Sequence, residues 1–444
     1  MILIVLYVGL VASYGMRASF GAYISPWEKE FSASRTMVTS ISMFSFVVYA
    51  IAQPIVGKLN DHFGKNIIPS VGIFLLGVSL LLTSQARQIW QVFVLFGVLF
   101  SLGVACCCNV VTSAVISNWF IEKRGFAIGL TTSGMAVGQL ILVPVNMSII
   151  DKLGWRTTMA ALSIVVMVVV SPLFIFLLRS KPEEKGMKPY GYVGPVDDSL
   201  AVVPHSGGSP IDDSLADVTL TDVTLTDVTL TDVTRSSVSG AADAASGDSL
   251  AAVGPLPVLR ALRSKAFWLL TIPYFICGFT DVGLIQTHLI PMSEGRGFPS
   301  ATVAAAFSVI AAFNIAGSIV TGHLADRFNR KRQLAVIYAV RAFTCVFLIF
   351  LKLPWLLIPF AVVYGSMEMA SIAPTNSLTV HLFDKFSIGA VLGLVSVSHQ
   401  LGGAVGSWVP GVLFDMTGSY FAVLALSVVL LLGISALSLR IPEK

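Results

Sequence analysis

From Ile2 to Ser438 the chain runs through one apolar stretch after another, each about twenty residues long and nearly free of charge. As a helix, ~20 apolar residues cross the ~30 Å hydrocarbon core of a bilayer. Inside that core every backbone N–H and C=O must be bonded within the protein, so only helices and closed barrels can span it. Runs of this length select helices. Of the 444 residues, 55% are hydrophobic and 12% charged, and the mean hydropathy is +0.84, whereas soluble domains carry about 25% charged residues. A soluble enzyme, a secreted scaffold and a nucleic-acid binder are thereby excluded. The net charge of +4 comes from 28 basic and 24 acidic residues. Most of the basic ones sit at the ends of apolar runs, where they record topology rather than a polyanionic partner.

Hydropathy delimits twelve candidate helices at 2–25, 37–56, 67–85, 91–117, 125–149, 157–178, 266–292, 301–322, 334–351, 355–379, 387–413 and 419–439. Six precede and six follow a polar segment. The expected organisation is a six-helix bundle over 1–178, a largely disordered linker over 179–265, and a second six-helix bundle over 266–444. The linker carries a pentapeptide array, LADVT LTDVT LTDVT LTDVT, at 215–234. Four such units supply about one solenoid coil with no neighbour to stack on, so disorder is the expectation. The N-terminal MILIVLYVGL has no basic n-region and no small-residue cleavage site, which makes the first run a permanent span. Lys and Arg number 19 on the side carrying both termini and the linker and seven on the other. The positive-inside rule then makes the termini cytoplasmic, with the cell membrane, plasma or inner, as the expected location. The five cysteines have neither disulfide nor metal-ligand spacing and read as small buried hydrophobes, without a metal.

GKLNDHFGKN at 57–66 and GHLADRFNRK at 322–331 share Gly57/Gly322, Leu59/Leu324, Asp61/Asp326 and Phe63/Phe328, and each follows the second helix of its half. Matching loops at equivalent places argue for a duplicated six-helix unit. The first segment resembles the loop signature of the major facilitator superfamily, Gly-x-Leu-x-Asp-x-x-Gly-[Arg/Lys], and the second resembles its C-half counterpart with Asn329 in place of the last glycine. Within that superfamily, segments 13–35, 118–139 and 399–420 resemble the monocarboxylate porters and their oxalate:formate antiporter-like relatives. One departure stands out: helix 301–322 has no Arg or Asp where those carriers usually place a substrate arginine. The resemblance implies a central cavity lined by helices 1, 4, 7 and 10, and a gating role for Gly57, Asp61, Gly322 and Asp326.

An Asp, Lys or Arg at the centre of a span costs about 2.5–3.5 kcal/mol on translocon scales, so each needs a partner or a wet cavity. Arg17 is the leading candidate for an anion, since its guanidinium can clamp a carboxylate through two parallel bonds. The alternatives are a permanent ion pair with Asp281 or Glu368, and snorkelling. Tyr14, Asn109, Asn314, Tyr364 and His399 are the further candidates for substrate contact. Carboxylates withdrawn from water are the usual proton carriers, which nominates Asp281 and Glu368, with His288 as a relay. Arg341 lies about five residues into its span and is expected to snorkel. No Walker-type Gly-x-x-x-x-Gly-Lys-[Ser/Thr] occurs, so an ATP-driven pump or other enzyme is not expected, nor is a cofactor. The reading is an all-α secondary transporter of a small organic anion, a monocarboxylate by resemblance, working by alternating access with proton symport; its partners are the substrate, protons and lipid. An anion exchanger and a non-transporting receptor of the same fold are the alternatives.

Overall fold

A computed structural model describes residues 1–63, 65–192, 261–383 and 388–443; the repeat at 215–234 lies outside the described residues. Among the described residues, nine helices are long and apolar enough to cross a membrane, or ten if a pair bent by 49° counts as one. The bent pair is α1, Ile2–Ala18 with Gly21–Phe31. Next come α2 (Arg35–Phe63), α3 (Ile67–Ser84) and α4 (Ile89–Trp119). The longest apolar unit, Arg124–Leu177, has 54 residues, and at 1.5 Å per residue a straight rod of that length is roughly 80 Å, far thicker than a bilayer. Gly154 breaks it with φ 80° and ψ 164°, which gives α5 (124–153) and α6 (155–177). The second half supplies α7 (Lys265–Glu294), α8 (Ser300–Arg327), α9 (Arg330–Phe350), α10 (Pro354–Leu382), α11 (Ile388–Thr417) and α12 (Phe421–Ser438).

Local chemistry sets several ends. Ser264 Oγ accepts the Phe267 N–H before α7, and Asn329 Oδ1 accepts the Arg332 N–H before α9, as N-caps do. Apolar side chains such as Ile51, Val168, Phe176, Ile319, Phe343 and Val429 stay exposed. So much apolar surface is tolerable only in lipid. Between rods, lipid-like side chains provide no net hydrophobic drive, and small residues that permit close approach become decisive. A Cβ at Gly402 or Gly406 of α11 would collide with the carbonyls of Phe275 and Phe279 in α7, so the glycines beside His399 do bring these two helices into backbone contact.

One buried apolar cluster draws only on residues 2–178 and a second only on 261–441. A third joins Ala18, Ala22, Val143 and Met147 to residues between Phe279 and Leu424. The two parts of the chain therefore meet along a packed seam, where α2 lies against α11 and α5 against α8. Near the ends of α2 and α11 remote from the chain termini, a Cβ at Gly411 would stand 3.2 Å from the Arg35 carbonyl, and further along one at Gly403 would be 3.4 Å from the Phe46 ring. At the termini-side ends a Cβ at Gly57, Gly125, Gly129, Gly322 or Gly393 would meet nothing within 4 Å. On the far face the two parts are joined directly, with Ser25 donating to Glu294 and Arg35 to Tyr420. After α6 the chain docks on the termini face of the first half, with Asn118 and Trp119 donating to the carbonyls of Ser180 and Arg179. Part of the segment expected to be a disordered linker is thus packed.

Rods interrupted near mid-length include α1 at its bend, α4 at Cys107–Cys108, α6 by π-helical turns over Val166–Val170, α7 by π-helical turns over Phe279–Ile285, and α10 at 369–371. Irregular backbone at membrane depth is tolerated where protein or a cavity satisfies it, and π-turns gather at functional sites. The candidate site lies among these interruptions.

Candidate functional site

A small cavity of about 20 Å³ lies between the chain halves, lined by Arg17 and Phe20 of α1, Ser42, Ser45 and Phe46 of α2, Phe96 of α4, and Val282, Gln286 and Thr287 of α7. That volume is room for about one water. The half-buried Arg17 guanidinium stacks over Phe46 (4.4 Å) and Tyr49 (4.1 Å) and donates to Gln400 Oε1 across the seam (3.2 Å). The Tyr49 hydroxyl bonds Tyr14 at 2.7 Å. Among the described residues no carboxylate lies within 4 Å of Arg17. The aromatic faces stabilise the cation modestly, about 0.5–2 kcal/mol, and leave its fork uncommitted to any anion of the protein.

Across the cavity, two buried carboxylates have contrasting company. Asp281 pairs with Arg341 (3.7 Å) and accepts the Tyr364 hydroxyl (2.5 Å). Arg341 is 1% exposed and also donates to Cys277 Sγ (2.9 Å) and Thr280 Oγ1 (3.3 Å). This corrects the expectation that Arg341 snorkels: α9 turns it inward, where a carboxylate pairs with it and a sulfur and a hydroxyl accept its N–H groups. Cys277 is likewise no mere hydrophobe, because its sulfur is an acceptor in this network. Glu368, 1% exposed, is held instead by neutral amides, Gln286 Nε2 on Oε1 (2.8 Å) and Asn314 Nδ2 on Oε2 (2.7 Å). No cation lies within 4 Å of it among the described residues. Glu368 can therefore gain or lose a proton without dissolving an ion pair; Asp281 cannot.

The remaining candidates are dispersed. Asn109 Oδ1 accepts Thr132 Oγ1 (2.9 Å), which ties α4 to α5 rather than facing the Arg17 cavity. Asn314 and Tyr364 serve the carboxylates. His399 rests against Tyr274 with ring centroids 4.6 Å apart, and its ring lies near Cys277 and Asp281. With Arg341 already donating to the sulfur and paired with the carboxylate, a second cation there would be repelled. His288 sits towards the far face, where Nε2 donates to the Ser407 carbonyl (2.7 Å) and Nδ1 accepts from the Tyr420 hydroxyl (3.1 Å). Arg35 donates to the same hydroxyl (3.0 Å) while pairing with Glu28 (2.6 Å). The Asp415 carboxylate of α11 accepts the first amides of α2, those of Arg35 (3.1 Å) and Thr36 (2.8 Å), and so caps a helix of the other half. The side chains of Asp61 and Asp326 lie outside the described residues; a Cβ at Gly57 or Gly322 would meet nothing within 4 Å. Sequence reasoning passed over Gln286, Arg35 and Asp415. An amide inside an apolar run was the available signal for Gln286, whereas Arg35 and Asp415 look like ordinary loop charges.

The chain is thus a helical membrane protein whose two packed parts meet at a seam that holds buried polar and charged groups. A sequence profile of the Major Facilitator Superfamily matches residues 6–407, and the chain belongs to this superfamily of transporters. It is 24% identical to the uncharacterized MFS-type transporter YcxA of Bacillus subtilis, over 99% of this chain and 94% of that one. Monocarboxylate transporter 12-B of Danio rerio is 25% identical over 85% of this chain and 73% of its own length. Among solved structures, a bacterial homolog of the human lysosomal transporter Spinster, in an inward-facing and occupied conformation, superimposes with a TM-score of 0.68 at 13% identity. That match covers 98% of this chain and 95% of the other.

Proposed function

We propose that this chain is a twelve-crossing secondary transporter that carries a small organic anion, a monocarboxylate, together with a proton by alternating access. Its two six-helix parts rock about the midplane, and the termini face is cytoplasmic. The observation that carries this reading is the unequal partnering of two intramembrane cations. Arg341 has Asp281, whereas Arg17, at the cavity between the halves, has aromatic faces and one amide. A fixed cation at that depth needs an anion, and a carboxylate matches its fork. Glu368 is the proton site of this mechanism and Asp281–Arg341 a standing ion pair. Distant relatives named as monocarboxylate transporters support the substrate class.

The test is uptake of labelled L-lactate, pyruvate, formate and oxalate into proteoliposomes with and without an inward-directed proton gradient. Accumulation of a monocarboxylate that collapses when the gradient is dissipated is expected. Uptake that needs a counter-anion inside and ignores the gradient would replace symport by exchange. No uptake of any of the four would overturn the reading.

A further inference from the structure

We propose that Gln286 couples anion binding to protonation of Glu368, an inference that rests on the symport reading above. Among the residues that line the Arg17 cavity, Gln286 alone also touches the carboxylate, through its Nε2–H on Oε1 at 2.8 Å. Asn314 holds the other oxygen but does not line the cavity. For a carboxylate buried at this depth with no cation, those two amide donors favour the ionised form; hydrogen bonds to charged groups contribute roughly 1.5–3 kcal/mol each. An anion that reaches Arg17 must widen the space of about 20 Å³ beside it, which the same Gln286 side chain bounds. It needs donors beyond the guanidinium, and the amide of Gln286 is one of the few within that wall. When Nε2–H turns to the anion, Glu368 Oε1 loses its donor, and the buried carboxylate, left with Asn314 alone, takes a proton from hydronium. One O–H bond forms on Glu368 and one water is left behind. When the anion departs, Gln286 returns to Oε1 and the proton leaves to water. Anion and proton thus bind as a pair although their sites share no atom.

The π-turn supports this assignment. Residues 279–285 gain an extra residue per turn immediately before Gln286, which lets α7 present Asp281 to Arg341 and Gln286 to both the cavity and Glu368. Gln139 of α5 adds a second sign of an unsettled bond. Its Nε2 is buried without a partner, and it lies within reach of the same carboxylate. This amide from the opposite half can take over Glu368 once the halves shift.

The experiment counts protons. Purified full-length protein in nanodiscs, in weakly buffered solution with a pH dye, is mixed with L-lactate, pyruvate or formate, and bound anion is measured in parallel. Wild type should take up about one proton per anion bound, as linkage between two coupled sites requires. Gln286→Leu should fall close to zero, because Glu368 without its donor is already protonated before the anion arrives. Gln286→Asn, too short to span cavity and carboxylate, should behave likewise and serves if the leucine variant does not fold. In a Glu368→Gln background, Gln286→Leu should add nothing further. A Gln286 variant that still takes up a full proton per anion overturns the coupling role while leaving symport intact. A wild-type protein that binds an anion without proton uptake, or binds none of the three, overturns the symport reading and this inference with it.

Discussion

Asp415 offers a way to unlock the far face without touching the midplane. Its carboxylate caps the N-terminus of α2 from the other half of the chain, accepting the amides of Arg35 at 3.1 Å and Thr36 at 2.8 Å. The cap exists only while that face is closed; when the halves part, those amides turn to water. Loss of an N-cap costs about 0.5–2 kcal/mol, and loss of a negative charge at a helix N-terminus a further ~0.3–1 kcal/mol. Asp415 is exposed, so the lower parts of both ranges apply. The sum of about 1–2 kcal/mol multiplies the ratio of far-face-open to far-face-closed protein by roughly 5–30. Asp415→Ala should show this as a second, longer distance population between spin labels at Arg87 and Lys352, measured by electron–electron resonance in nanodiscs. Asp415→Asn, which keeps an acceptor, should fall between the two. Partial burial would raise the carboxyl's pKa, but hydrogen bonds from Thr36, Arg35 and Ser34 outweigh it and hold it below the ordinary carboxylate range. The closing contribution is therefore complete at neutral pH and is lost only as the pH falls through that depressed value. An unchanged distance distribution in Asp415→Ala, in protein that still melts cooperatively, would refute the latch.

Arg17→Lys keeps the charge but loses the planar fork, and binding of whichever anion the wild type transports should weaken by about 1.5–3 kcal/mol, roughly tenfold or more; unaltered affinity by calorimetry would remove Arg17 from the site. Asp281→Asn strands a buried guanidinium and should destabilise the fold by about 3–5 kcal/mol, whereas Asp281→Asn with Arg341→Met should recover most of the lost melting temperature. A double variant no more stable than the single would mean that the pair is not structural. Deleting 215–234 should leave initial uptake within about twofold, since its composition cannot pack; loss of uptake in protein that reaches the membrane would give the repeat a role.

The sequence by itself determined the class of molecule. Apolar runs of spanning length, basic residues biased to one side and two copies of one loop signature lead to a duplicated helical carrier without any coordinate, because bilayer thickness and backbone hydrogen bonding leave few other forms. It also confined the chemistry to a handful of intramembrane charges, Arg17, Asp281, Arg341 and Glu368, since each such residue is costly enough to require a reason. It could not say which of them meet. Pairing depends on the rotation of each helix about its axis, and the breaks in α1, α4, α7 and α10 change that rotation in mid-membrane, where a periodicity count assumes it constant. The π-turn in α7 is the sharpest case: it turns Asp281 to Arg341 of α9 and Gln286 to Glu368 of α10, so that one carboxylate is fixed and the other left to amides. The Asp415 cap lay equally out of sight, because its donors are backbone amides 379 and 380 positions away in sequence. A backbone N–H has no residue type to betray it; only the approach of two helix ends makes it a partner.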